Sequence, residues 1–170
     1  MGDFRVANGQ FDDLQGEALI EKLSTVYEPR EYTSGNKYTL KYRLLKPINY
    51  EFGKSYPLVV FLHGAGERGA DNRTTLKHAA KEFAKEERRK QYPAYILIPQ
   101  CPKDEKWSNV DWSQEKSELP TVASDAMSTL KELIDEMVEN AGVNKNKIYI
   151  TGLSMGGYGT WDAIARYPQF

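Results

Sequence analysis

The stretch "KIYITGLSMGGYGTW", residues 147–161, joins two kinds of secondary structure. Its first part is rich in β-branched residues and predicts a strand, while the part from Tyr158 onwards has the apolar spacing of a helix. Glycines before and after Ser154 allow a tight turn between the two elements. We therefore predict a strand, a sharp turn and a helix, with the Ser154 hydroxyl exposed at the amino end of that helix.

Chain length and composition indicate one soluble domain, residues 1–170. Hydrophobic residues make up 40% of the chain and charged residues 28%, with a formal net charge of -1. This balance gives no broad attraction to nucleic acid or to an anionic membrane, so we expect neither as a partner. We find no signal peptide or membrane span, and Cys101, the only cysteine, is expected to be a buried, unreactive thiol that leaves the compartment undetermined.

Three apolar runs indicate strands inside a sheet. Residues 56–64, 94–101 and 147–152 are nearly unbroken apolar segments closed by glycine or proline, as expected for strands buried on both faces. Residues 38–45 alternate less regularly and predict a strand in an outer part of the sheet.

Apolar residues recur with helical spacing between these strands. One pattern covers residues 76–84, and a stronger one covers residues 122–138, with Pro120 allowed in the first turn and a stop at residues 140–142. The alternation of strands and helices predicts an α/β fold, a three-layer α/β/α sandwich with a mainly parallel sheet. The loops that leave the carboxyl ends of its strands should face the same side, where functional groups of such sheets lie.

Residues 152–156 match G-x-S-x-G, a strand-to-helix turn that presents its serine as a nucleophile, here Ser154. Attack on an acyl group creates an oxyanion, which needs two fixed backbone N–H donors. We predict that Met155 supplies one donor and that Ala65 supplies the other, from the sequence "HGAG" at residues 63–66 after the first buried strand. For each motif, the alternative is a glycine-rich connection that binds nothing.

Three separated segments carry a family resemblance: "FLHGAGERGADN" (61–72), "YILIPQCP" (95–102) and "IYITGLSMGGYGTWDAIARYP" (148–168). Together they resemble the α/β-hydrolase superfamily, specifically the esterases and predicted peptidases related to polyhydroxybutyrate depolymerases and feruloyl esterases. The likeness runs from about residue 32 to the last residue. It implies ester hydrolysis through an acyl-serine without metal or organic cofactor, with Ser154 as nucleophile and Ala65 and Met155 as oxyanion donors. It also implies short acyl esters or acyl groups on polysaccharides as substrates.

The acid and the histidine of a catalytic triad are not evident in the sequence. In the superfamily both follow the nucleophile along the chain, yet after Ser154 the sequence has one acidic residue, Asp162, and no histidine. We expect Asp162 to make a solvated or capping interaction, His63 to support the oxyanion loop, and His78 to lie on a helix surface. The chain is therefore predicted to carry the nucleophile and the oxyanion site without the acid–base half.

Three explanations fit this pattern: the front portion of a longer enzyme, a chain completed by a partner, or a catalytically impaired relative. In each case the strand before Ser154 should lie at a sheet edge with unpaired backbone groups. We therefore expect a homo-oligomer or a complementing fragment to cover that edge.

Two tryptophans, Trp107 and Trp112, lie in a polar loop after the second buried strand. They are candidates for a substrate-binding wall that accepts flat acyl or sugar groups, and anchoring of the loop to the core is the alternative. Glu67 and Arg68 are candidates for an ion pair that stabilises the oxyanion loop. A serine esterase is the leading hypothesis, and a serine peptidase of the same fold and a non-catalytic binding or scaffold protein are its rivals.

Overall fold

The computed structural model describes residues 10–170, so the interpretation that no signal peptide begins the chain rests largely on residues outside this range. The helices are α1 (Gly16–Ser24), α2 (Ala80–Ala84), α3 (Glu86–Gln91), α4 (Asp125–Asn140) and α5 (Met155–Arg166). The strands are β1 (Glu28–Thr33), β2 (Thr39–Leu45), β3 (Tyr56–Leu62), β4 (Tyr95–Gln100) and β5 (Val143–Gly152). Within the described range, no helix has the length and apolar character needed to cross a membrane.

All five strands belong to one sheet, in the order β1-β2-β4-β3-β5. β3 pairs in parallel with β4 on one side and with β5 on the other, whereas β2 runs antiparallel to both β4 and β1. The sheet is therefore mixed, with a parallel half built from the three predicted apolar runs. Because β3, β4 and β5 end at the same edge, the residues that follow Leu62, Gln100 and Gly152 gather there.

Apolar side chains of the sheet pack into two cores, one on each face. Leu58 and Leu62 of β3 belong to the core that α4 and α5 cover, while Phe61 belongs to the core that α1 and α2 cover. β4 alternates in the same way, with Leu97 in the first core and Ile98 in the second. The predicted three-layer α/β sandwich is confirmed.

Strand β5 lies at the edge of the sheet, as predicted. Among residues 10–170 it pairs with β3 alone, and its Tyr149 is 56% exposed. The prediction that this strand is buried on both faces is therefore wrong for the chain described here. Its apolar residues are typical of a central strand, but no further strand of residues 10–170 pairs with its free edge.

The predicted helix over residues 76–84 is broken into shorter pieces. A 3-10 turn at Thr74–Leu76 is followed by α2 and then by α3, and Ala79 between the turn and α2 has a φ of 44°. Leu76, Ala80 and Ala84 are nevertheless buried. The apolar spacing thus predicted which residues face the core but not whether the helix is continuous.

Helix α4 begins later than the sequence predicted. The Ser124 hydroxyl accepts a hydrogen bond of 3.1 Å from the Met127 amide and caps the helix, so Pro120 lies outside it and Val122 is exposed. A serine hydroxyl accepts a hydrogen bond from a free amide of the first turn, whereas a proline side chain has no acceptor. Serine is therefore the stronger signal for the start of a helix. The predicted stop is confirmed, because α4 ends at Asn140 and Gly142 adopts a φ of 75°.

Candidate active site

The crossover from β5 to α5 depends on two glycines that have no room for a side chain. A methyl group on Gly152 would lie 2.2 Å from the carbonyl oxygen of Gly156, and one on Gly156 would lie 1.9 Å from the carbonyl oxygen of Leu62. Between them Ser154 has a φ of 53° and a ψ of -114°. Such a conformation costs a residue other than glycine about 1–3 kcal/mol. The close packing against the end of β3 holds this strained turn and leaves Ser154 exposed.

The loop after β3 returns to the same serine. A Cβ on Gly64 would lie 3.7 Å from the Cβ of Ser154, so the two backbones are in near contact. Ala65 and Met155 are the first residues of a 3-10 turn and of α5, where amides have no acceptor within the helix. Among residues 10–170 neither amide donates to a backbone carbonyl. Both are therefore free to donate to a bound molecule.

Ser154, Ala65 and Met155 line one cavity of about 270 Å³. The predicted nucleophile and the two predicted amide donors thus meet at the edge of the sheet where the parallel strands end. Chemically, the arrangement offers a hydroxyl beside two N–H groups at the amino end of a helix, which favours negative charge. Their catalytic roles stay predictions.

An aromatic pair, Trp112 and Tyr158, also lines this cavity. Their ring centroids lie 5.8 Å apart, and the Lys106 ammonium lies 4.2 Å from the centre of the Trp112 ring. Trp112 is 36% exposed, so its side chain is available to a ligand. The position of Trp112 fits the predicted substrate wall.

Trp107 does not have the position predicted for a pocket residue. Its side chain is fully buried, and its indole N–H donates to the carbonyl oxygen of His63 at 3.0 Å. Its Cβ would lie 2.5 Å from a methyl group on Gly159 of α5. Trp107 therefore anchors its loop to the core and does not line the cavity.

His63 supports the loop after β3 from within the core. It is fully buried, and its Nε2 accepts a hydrogen bond of 2.9 Å from the Cys101 amide. Nδ1 lies 2.6 Å from the carbonyl oxygen of Gly64 and must therefore carry the proton and donate it. Burial lowers the pKa of the His63 imidazole, although the Gly64 carbonyl opposes the shift. Both nitrogens are occupied, so His63 cannot act as a base toward Ser154.

A comparison with known protein families covers the part of the chain that builds this cavity. The phospholipase/carboxylesterase family model matches residues 48–169, which include the loop after β3 and α5. The match also includes the loop after β4 that carries Trp107 and Trp112, which we call the tryptophan loop. The chain belongs to the phospholipase/carboxylesterase family.

Proteins similar to this carboxylesterase-family chain include an esterase, a depolymerase and a peptidase. A thermostable esterase of known structure is 34% identical, with a TM-score of 0.77, over 86% of this chain and 39% of the esterase. Poly(3-hydroxyalkanoate) depolymerase C of Paucimonas lemoignei is 23% identical over 89% of this chain and 34% of its own length. An acylaminoacyl peptidase shares the fold, with 21% identity and a TM-score of 0.51 over 85% of this chain and 22% of the peptidase. The chain thus spans less than two fifths of each relative.

The remaining polar residues of the loop after β3 do not pair as predicted. Glu67 is buried, and its carboxylate lies 3.2 Å from Nε2 of His78 instead of pairing with Arg68. Arg68 donates to the carbonyl oxygens of Ala65, at 3.0 Å, and Glu105, at 3.2 Å. Arg68 thus ties the loop after β3 of this carboxylesterase-family chain to the tryptophan loop. The loop is stabilised through backbone carbonyls, which sequence alone does not identify as partners.

Two further predictions concern Asp162 and Cys101. Asp162 is buried and forms an ion pair of 2.7 Å with Arg166, so the predicted solvated or capping role is wrong. It lies on the inner face of α5, where a carboxylate is stable only if it is paired. Cys101 is buried, as predicted, and desolvation raises its pKa to about 12, which disfavours the reactive thiolate.

Sequence reasoning missed Tyr158 as a residue of the cavity. It lies one helical turn after Ser154, and residues four apart share a helix face. That spacing was available in the sequence, but it becomes informative only once α5 is known to begin directly after the serine.

Proposed function

We propose that this chain carries the nucleophilic half of a serine carboxylic-ester hydrolase. In the proposed reaction the Ser154 hydroxyl loses its proton, Oγ bonds to the acyl carbon, and the carbonyl π electrons move to the carbonyl oxygen. When those electrons return, the bond from the acyl carbon to the alcohol oxygen breaks, and the alcohol leaves with the proton to give an acyl-serine. Water then releases the acid and regenerates the serine. The observation that carries the proposal is the meeting of a strained, exposed Ser154 with the two free amides of Ala65 and Met155 in one cavity.

The wall of the cavity supports the proposed substrate class. Trp112 and Tyr158 present aromatic surface beside Ser154, which suits a short or flat acyl group or a sugar that carries one. Short-chain esters and acyl esters on polysaccharides are therefore the proposed substrates.

The acid and the base are proposed to come from polypeptide that covers the free edge of β5. Among the described residues, β5 pairs with β3 alone, and the neighbouring α5 exposes Trp161 at 73% and Ile164 at 40%. An unpaired strand beside exposed apolar residues favours association. A second copy of the chain would cover the edge, whereas a segment carrying an acid and a histidine would cover it and complete a triad.

Sedimentation velocity and activity together separate these two arrangements. If a second copy covers the edge, the sedimenting particle should be larger than the 19.4 kDa of one chain. The substitution Trp161→Asp should then convert it to the monomer. A completing segment predicts a monomer whose ester hydrolysis rises when polypeptide corresponding to the remainder of the thermostable esterase is added. A stable monomer that no such addition activates would contradict both.

A fluorophosphonate probe and a short p-nitrophenyl ester test the nucleophile directly. We expect labelling of the wild-type chain that Ser154→Ala abolishes, with Ser55→Ala, an exposed serine at the opposite end of β3, as the matched control. Turnover is expected to be slow without a histidine base, because the members of a triad act as a unit. Equal labelling of wild type and Ser154→Ala would overturn the proposal.

A binding or scaffold function is the second candidate, and the environment of the histidines favours it. The sequence contains two histidines, and the ring of one, His63, is fully committed to backbone groups. This candidate predicts that the chain binds a short ester but does not hydrolyse it. The result should be the same whether or not polypeptide corresponding to the remainder of the thermostable esterase is added.

A further inference from the structure

The cavity wall lies on a long connection that has little packing of its own. Residues 101–124 join β4 to α4 without a helix or strand, and every residue from 111 to 119 is exposed. Trp112 lies in this exposed part. A segment with so few buried contacts is held only weakly by its own side chains.

Within this connection, Asp111 organises a local turn. Its carboxylate accepts hydrogen bonds from the Ser113 amide at 3.0 Å and from the Ser113 hydroxyl at 2.6 Å, and its carbonyl oxygen accepts one from Ser117 at 2.7 Å. These bonds stabilise the shape of the segment, but they do not attach it to the rest of the molecule.

Besides the packing of Trp112 on Tyr158, two residues of α5 attach the exposed segment, one at each of its ends. On the near side, the Ser108 hydroxyl donates to Asp162 Oδ2 at 2.6 Å. On the far side, the Arg166 guanidinium donates to the carbonyl oxygens of Pro120 at 2.6 Å and Thr121 at 3.0 Å. Both ends of the segment are therefore tied to a single helix.

Asp162 and Arg166 also bind each other and form one buried unit, which we call the α5 clamp. Arg166 Nε lies 2.7 Å from Asp162 Oδ1, and the two side chains are 15% and 1% exposed. The planar guanidinium can hold the carboxylate and two carbonyl groups at once, whereas a lysine ammonium has no such fixed fork. The attachment thus depends on the identity of the arginine as well as on its charge.

The helix that carries the clamp begins directly after Ser154 and also carries Tyr158. We propose that Asp162 and Arg166 are positioning residues, which hold Trp112 at a set distance from Ser154 and thereby determine the size of the acyl group that the cavity accepts. The inference rests on the proposed function for its meaning in catalysis. Its structural part, that the clamp determines where Trp112 lies, can be measured without any activity.

The first experiment measures size selectivity. Second-order rate constants for labelling of Ser154 are compared for a compact ethyl fluorophosphonate and a bulky aryl fluorophosphonate, in the wild type, Arg166→Lys and Ser108→Ala. We expect the bulky-to-compact ratio to change by about tenfold in Arg166→Lys, in the range that pocket contacts give, with the compact probe little affected. Trp112→Ala should change the ratio in the same direction, and Arg88→Lys, on exposed α3, should not.

The second experiment measures the position of Trp112 directly. In a Trp161→Phe background the remaining tryptophans are Trp107, which is fully buried, and Trp112, so acrylamide quenching reports on Trp112. We expect quenching to increase in Arg166→Lys and Ser108→Ala and to stay constant in Arg88→Lys. A role confined to overall stability would lower the midpoint of unfolding without changing quenching of the folded protein.

Each outcome has one meaning. Unchanged quenching in folded Arg166→Lys and Ser108→Ala overturns the inference. Increased quenching with an unchanged labelling ratio also overturns it, because the wall would then move without affecting selectivity. If Ser154 is not labelled in any variant, the proposed function fails, and the quenching result alone decides whether the clamp positions Trp112.

Discussion

Gly156 and Leu62 approach so closely that a methyl group on Gly156 would lie 1.9 Å from the Leu62 carbonyl oxygen. Backbone atoms cannot move aside as a flexible side chain can, so Gly156→Ala must displace α5 from β3. We expect it to destabilise the chain by about 3 kcal/mol or more, the upper end of the usual cost of overpacking. Urea unfolding measures this loss.

The neighbouring glycine provides the control for that experiment. A methyl group on Gly157 would have its nearest contact at 4.0 Å, with the carbonyl oxygen of Gly152. Gly157→Ala should therefore stabilise the chain by about 0.5–1 kcal/mol, the usual gain of alanine over glycine inside a helix. Similar losses in the two variants would show that the crossover is not as tightly packed as described.

Ser154 provides a second test, which separates the strain of its backbone from the chemistry of its hydroxyl. Its φ of 53° is strained for alanine but not for glycine. We expect Ser154→Gly to be about 1 kcal/mol more stable than Ser154→Ala, because relief of strain exceeds the extra entropy of glycine in the unfolded chain. Thermal and urea unfolding measure the difference, and both variants should lose probe labelling. A more stable Ser154→Ala would contradict the strained turn.

His63 should stay neutral in a single tautomer. Burial lowers its pKa, so the folded chain favours the neutral ring, with the proton on Nδ1. The stability that this histidine contributes is then present above its unfolded pKa of about 6.5 and is lost as the pH falls towards the lower folded value. At pH 6.5, where an ordinary imidazole is about half protonated, nitrogen-15 NMR should show a protonated Nδ1 and an unprotonated Nε2, with His78→Asn used to assign the signals. An imidazolium spectrum near pH 6.5 would disprove this arrangement.

Trp107 and Trp112 should respond differently to the same substitution. Trp107→Phe leaves a gap in the core and removes the donor to the His63 carbonyl, so we expect a loss of about 2–3 kcal/mol. Trp112→Phe changes an exposed side chain and should alter stability by less than about 0.5 kcal/mol. It should instead weaken binding of aromatic esters, measured by fluorescence titration. Equal losses of stability would mean that Trp112 also anchors its loop.

Much of the fold could be predicted because its signals are local. The runs that became β3 and β4 are apolar on both faces, and the glycines around Ser154 permit only a sharp crossover. By contrast, β1 carries few apolar residues and is mostly exposed, so no periodicity marked it, although Leu19 and Leu23 at helical spacing could have indicated α1. The Ala79 interruption and the Ser124 cap moved the predicted boundaries of helices that the apolar spacing had indicated.

By itself, the sequence determined the strand, turn and helix around Ser154 and the family to which the chain belongs, because close packing and strained turns restrict residue identity over a short span. Only the tertiary structure decided that Trp107 lies in the core and Trp112 at the cavity, and that both His63 nitrogens bind backbone groups. It also decided that Arg166, which pairs with Asp162, donates to the carbonyl oxygen of Pro120. The contacts of His63 with Cys101, Trp107 with His63 and Arg166 with Pro120 join residues 38 to 46 positions apart, the last two through backbone carbonyls. Because every residue has a carbonyl, its choice as a partner depends on the folded arrangement and leaves no mark in the sequence.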